Sequence, residues 1–74
     1  MMKQYVFNLY IPYRELLLYY QGDVNKLVVR TEMGFTLEIG IDKFRSFVSA
    51  AGLRGRFLLT ADDHNRFQSL ERIG

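Results

Sequence analysis

At 74 residues, with a net charge of +2 and no cysteine, the chain has room for a single domain over residues 1–74. Without cysteine there is no disulfide and no thiolate-held metal, so the core must come from packing, or from packing plus an interface between copies. The longest apolar run, Leu16 to Tyr20, is far short of the ~20 residues of a spanning helix, and no signal peptide is visible, so a soluble cytoplasmic protein with no membrane contact is expected.

Tyr5, Phe7, Leu9 and Ile11 alternate with Gln4, Val6, Asn8 and Tyr10, which predicts a first strand with one apolar face. Pro12 ends it and suits the first turn of a helix, where a missing N–H costs nothing. Glu15 then suits the positive end of the helix dipole. Tyr13, Leu16, Leu17 and Tyr20 fall at i, i+3, i+4 and i+7 and predict the buried stripe. That phase puts Leu17 in the core, Leu18 outside beside Arg14, and Tyr19 on the flank. Gln21, Gly22 and Asp23 are expected to stop the helix, with Gly22 as a left-handed cap.

Lys26 to Ile39 reads as a β-hairpin. Leu27, Val29 and Thr31 alternate with Val28 and Arg30. Phe35, Leu37 and Ile39 then alternate with Thr36 and Glu38. Glu32, Met33 and Gly34 form the connection, and Gly34 takes positive φ cheaply, as a three-residue loop with a bulge requires.

Gly40 ends the hairpin, and Asp42 is expected to cap a short helix carrying Phe44, Phe47, Val48 and Ala51, closed by Gly52. A loop, Gly52-Leu53-Arg54-Gly55, leads to a strand Arg56–Thr60 with Phe57 and Leu59 inward. Asp62, Asp63, His64 and Asn65 are turn formers. In the last strand, Phe67, Leu70 and Ile73 are three apart. A bulge near Gln68 and Ser69 would return Phe67 and Leu70 to one face.

The fold expected is α+β: a small, strongly twisted antiparallel sheet of about five strands, partly rolled into a barrel. One helix follows strand 1, and a short helix precedes strand 4. The strand–helix–strand order, occurring twice, makes a ferredoxin-like βαββαβ arrangement the alternative.

The order of these features resembles a small bacterial family catalogued as domain of unknown function 2835. The resemblance runs along nearly the whole chain. It rests on Tyr5, Phe7 and Leu9, then Tyr19, Tyr20, Gln21 and Gly22, then Leu27, Val28 and Val29, and last Gly52, Gly55, Arg56 and Phe57. Pro12 stands where a serine or threonine cap is common in that family, Met33 where an Asp-Gly turn has its aspartate, and Arg54 where a histidine is frequent. The resemblance implies a bacterial origin and supplies no active-site residues.

The residues themselves argue against an enzyme. Ser46, Ser49 and Ser69 lie in no nucleophile motif, and nothing brings two of Glu15, Glu38 and Asp42 together. His64, the only histidine, sits among turn formers that do not converge on a metal ion, so no metal or other cofactor is expected. Charge is uneven, however. Residues 42–56 carry Lys43, Arg45, Arg54 and Arg56 against Asp42, a net +3. Gly52-Leu53-Arg54-Gly55 has the spacing of a nucleic-acid backbone clamp, but that clamp joins two helices. The reading is a non-enzymatic binding module of unknown partner. The first class is RNA or single-stranded DNA held by Lys43, Arg45, Arg54 and Arg56, with Tyr19 for stacking. The alternative is a protein-interaction or self-association module, homodimer included, using Leu18, Tyr19 and a sheet edge.

Overall fold

The computed structural model describes residues 1–22 and 25–74. Its elements in order are β1 (Lys3–Pro12), α1 (Tyr13–Gln21), β2 (Lys26–Arg30), β3 (Thr36–Gly40), a 3-10 helix (Ile41–Phe47), β4 (Gly52–Ala61) and β5 (Phe67–Arg72). The α+β class therefore holds, with antiparallel strands throughout. The strands form two sheets rather than one: β1-β4-β5 and β2-β3. They do not close into a barrel, and the ferredoxin-like alternative fails because β2 and β3 stand apart from β1 and β4. The sheets touch where the Glu32 N–H donates to the Val6 carbonyl at 2.7 Å.

The core lies between the sheets. From the larger come Phe7, Ile11, Leu53, Phe57 and Leu59, and from the smaller Leu27, Val29 and Ile39. Leu16, Ile41 and Phe44 close the ends. β1 and β4 pair over their full ten residues, Lys3 opposite Ala61 and Pro12 opposite Gly52. Phe7 thus faces Phe57, and their rings stack at 5.7 Å.

The helix turns differently from the expected phase. Leu16 is 1% exposed and the half-buried Tyr19 packs on the core, whereas Leu17 is 37% and Leu18 66% exposed. Six of the nine helical residues are leucine or tyrosine, so the sequence has no single apolar stripe to set the phase. The junction sets it instead. Pro12 still pairs with Gly52 while capping α1, so the first turn is aimed by the end of β1. Gly22 caps the other end in an extended conformation, φ −98°, not a left-handed one. Asp23, expected in the same stop, lies outside the described residues.

The second helix is a 3-10 helix, shorter than the expected α-helix. Ile41, Phe44 and Phe47 are three apart, which aligns them along a three-residue turn. Gly40, not Asp42, is its N-cap, with no side-chain hydrogen bond. Gly52 does not close this helix but opens β4. Ser49 and Gly52 exchange both backbone hydrogen bonds at 2.9 Å. The Gly52–Gly55 segment is therefore strand, and the clamp-like spacing has no loop to act through.

Two turns share one design. In the hairpin, Thr31 N–H donates to Phe35 O, Gly34 N–H to Thr31 O, and Phe35 N–H to Thr31 Oγ1. In the β4–β5 turn, Asp62 N–H donates to Arg66 O, Asn65 N–H to Asp62 O, and Arg66 N–H to Asp62 Oδ1. Gly34 (φ 91°) and Asn65 (φ 62°) hold the left-handed position in each. The expected bulge is also present. Thr60 pairs with Ser69 but Ala61 with Phe67, leaving Gln68 as the extra residue. Among the described residues no helix is long and apolar enough to cross a membrane.

The corrected helix phase has a direct test. Leu16→Ala should cost about 2–5 kcal/mol in denaturant unfolding, and Leu17→Ala about 1 kcal/mol or less. Gly52→Ala should fail to fold. Its Cβ would strike the Ile11 carbonyl oxygen and lie 2.6 Å from Tyr13 N, on a backbone held at φ 110°.

Candidate nucleic-acid interface

On the β5 side, β4 pairs with the C-terminal segment only from Arg56 onward and Gly52 is taken by Ser49, so the backbone between them, residues 53–55, has no strand partner there. A groove of about 750 Å³ runs over this end of β4, and Asn8, Tyr10, Phe47, Arg54, Arg56 and Arg72 line it. Strand alternation supplies most of these groups. Asn8 and Tyr10 stand on the face of β1 opposite Phe7 and Ile11, and Arg54 and Arg56 on the matching face of β4. Antiparallel pairing sets Tyr10 beside Arg54 and Asn8 beside Arg56. Arg72 reaches the groove from β5. Its aliphatic stem crosses Gly55, where a Cβ would lie 2.7 Å from Arg72 Cδ. Its Nη1 donates to the Arg54 carbonyl at 3.4 Å.

The three guanidiniums differ electrically. Arg56 is clamped by Glu32 through two hydrogen bonds, Nε to Oε2 and Nη2 to Oε1, each 2.8 Å. Asn8 Nδ2 donates to the same carboxylate at 3.4 Å. The hydrogen bond from Arg56 holds the Glu32 carboxyl below its ordinary range, and the same bond raises Arg56. Arg56 is thus neutralised. Arg54 lies over the Tyr10 ring, its guanidinium carbon 5.7 Å from the centroid. Arg54 and Arg72 have no carboxylate within salt-bridge distance among the described residues.

The four basic residues read from the sequence as one nucleic-acid surface do not all line this groove. Arg54 and Arg56 share the groove, but Lys43 and Arg45 do not line it. Lys43 lies over the Phe67 ring at 4.8 Å and pairs with Asp42 at 3.6 Å. Arg45 is exposed on the 3-10 helix. Tyr19 is half-buried against the core and does not line the groove. Leu18 is exposed, as expected. Tyr10, Asn8 and Arg72 were not legible as site residues. Their only signal is outward position on a strand for the first two, and it acquires meaning once β1 is known to pair with β4. The Asp62–Asn65 segment is a turn. The Asp62 carboxylate accepts the backbone N–H groups of Arg66 and His64 and the Arg66 side chain, and Arg66's backbone N–H contributes most to holding it below the usual carboxylate range.

Fold and groove together define a small two-sheet α+β domain with a basic, tyrosine-lined groove over one strand end. The chain belongs to the family described as protein of unknown function DUF2835, whose model matches residues 3–73. No curated protein and no solved structure matches it.

Glu32 and Asp62 make acid stability testable. A carboxyl whose folded pKa lies below its unfolded value stabilises the fold above the unfolded value, near 4.5 for Glu32 and 3.8 for Asp62. That stability fades as pH falls through the folded value. Melting temperature should therefore drop between about pH 5 and 3. The drop should be shallower in Glu32→Gln and in Asp62→Asn, each variant starting from a lower plateau at pH 7. Parallel curves for variants and parent would show that neither carboxylate carries this dependence.

Proposed function

We propose that this protein is a non-enzymatic module that binds single-stranded nucleic acid in the groove over the end of β4. The observation that carries the reading is the placement of Arg54 and Arg72 in one groove, with no acid paired to either among the described residues. Like charges gathered without a counterion repel one another, and a phosphate chain would relieve that repulsion. Tyr10 adds a ring beside Arg54, and Asn8 an amide in the same groove beside Arg56, the mix of stacking and polar contact that single-strand binders use.

The magnitudes set the scale. Four basic contacts on residues 42–56 would give a log–log salt slope near 3 in magnitude, at roughly 0.7 per neutralised phosphate. With Arg56 held by Glu32 and Lys43 and Arg45 elsewhere, only Arg54 of those four remains; Arg72 brings the contacts to two, for a slope of about 1.4. Binding should be weak and sensitive to salt. Fluorescence anisotropy with labelled RNA and single-stranded DNA at two salt concentrations measures it. Arg54→Gln with Arg72→Gln should abolish the signal and leave melting nearly unchanged. Lys43→Gln should leave binding intact. A folded protein with no binding at low salt would end this reading.

A further inference from the structure

We propose that helix α1 is the interface of a two-fold homodimer, with Leu17 and Leu18 of each copy at its centre. Leu16 and Tyr19 fix the buried side of the helix. At 100° per residue, the side turned directly away from the core carries Arg14, Leu17, Leu18 and Gln21, at i, i+3, i+4 and i+7. A solvent-facing stripe on a small domain normally carries charged or polar residues. Here the two middle positions are leucines, and Leu18 is 66% exposed. Tyr13 and Tyr20 extend the apolar surface on one flank, at 45% and 43%. Packing within one copy leaves Leu18 mostly uncovered and covers Leu17, Tyr13 and Tyr20 only in part.

The occupant argued for is a second copy of this chain, on two grounds. The first is area. A folded monomer of 8.7 kDa is expected to expose about 4,700 Å². This chain exposes 5343 Å². The excess of roughly 600 Å² is spread over the whole chain, and the exposed Tyr13, Leu17, Leu18 and Tyr20 of α1 are part of it; a standard interface takes ~800 Å² from each partner. The radius of gyration, 12.2 Å, is likewise above the ~11 Å expected for this length. The second ground is self-complementarity. When two such helices pack antiparallel about an axis between Leu17 and Leu18, positions whose numbers add to 35 meet. Leu17 then faces the partner's Leu18, and Arg14 faces the partner's Gln21, whose amide oxygen can accept from the guanidinium. The result is an apolar centre with a hydrogen-bonded rim, repeated by symmetry. Arg14 and Glu15 leave the helix with no net charge, so two copies do not repel through it. No residue of α1 lines the groove over β4, so this inference is independent of the nucleic-acid reading.

Sedimentation equilibrium from micromolar to millimolar protein tests it. The parent chain should approach twice the monomer mass. Leu18→Glu should raise the dimer dissociation constant at least about 100-fold, because the change enters the interface twice. Its melting at low concentration should be unchanged. The chain has no cysteine, so introduced thiols report geometry cleanly. An equimolar mixture of Leu17→Cys and Leu18→Cys should form the mixed disulfide well beyond the about twofold excess over each symmetric one that random pairing gives. A parent chain that stays monomeric throughout overturns the proposal. So does a dimer that Leu18→Glu leaves intact, or one in which the mixed disulfide does not exceed that statistical excess.

Discussion

The fold depends on the contact among Phe7, Phe57 and Phe44, all three fully buried. Phe7 and Phe57 stack across the β1–β4 pair. Phe44 meets both edge-on, at 6.3 Å and 5.6 Å, and Phe47 meets Phe57 edge-on at 5.4 Å. Each buried ring contributes roughly 1.5–3 kcal/mol by burial alone, and each edge-on or offset pair roughly 0.5–1.5 kcal/mol beyond it. For a chain of this length with no disulfide, that is a large share of the net stability. The cluster also explains why residues 41–47 tighten into a 3-10 helix. That geometry directs Phe44 and Phe47 to one side, toward β4.

A second constraint holds the two sheets in place. Glu32 sits at the tip of the smaller sheet, where its backbone N–H meets the free edge of β1 and its carboxylate holds Arg56 on β4. One residue thus makes both the backbone tie and the side-chain tie between the sheets. The same pair lowers the positive potential of the groove, since it neutralises Arg56. The ion pair that docks the hairpin leaves Arg54 and Arg72 as the groove's arginines without a carboxylate partner among the described residues.

The positive charge that stands out between residues 42 and 56 is divided by the fold. Lys43 turns toward β5 and covers Phe67, while Arg54 and Arg56 turn toward β1. What replaces the lost cations comes from elsewhere in the chain: Arg72 from β5, and Tyr10 and Asn8 from β1. Proximity in sequence was a poor guide because a strand places neighbours on opposite faces and its partners lie tens of residues away.

Local chemistry was readable from the residues alone. The alternation of β1, the left-handed Gly34, the turn at Asp62–Asn65 and the bulge at Gln68 each follow from interactions within a few residues, and the structure contains all four. The family resemblance was legible for a related reason, since it rests on the order of such local features. Tertiary structure alone decided the rest. Whether Leu16 or Leu17 faced inward depended on how Pro12 docks against Gly52, forty residues away, because the helix is apolar on nearly every side. The separation into two sheets depended on β1 pairing with β4, a long-range choice that no local period encodes. The groove depended on the β1–β4–β5 order, since its strand walls come from these three and the sequence does not state how they pair.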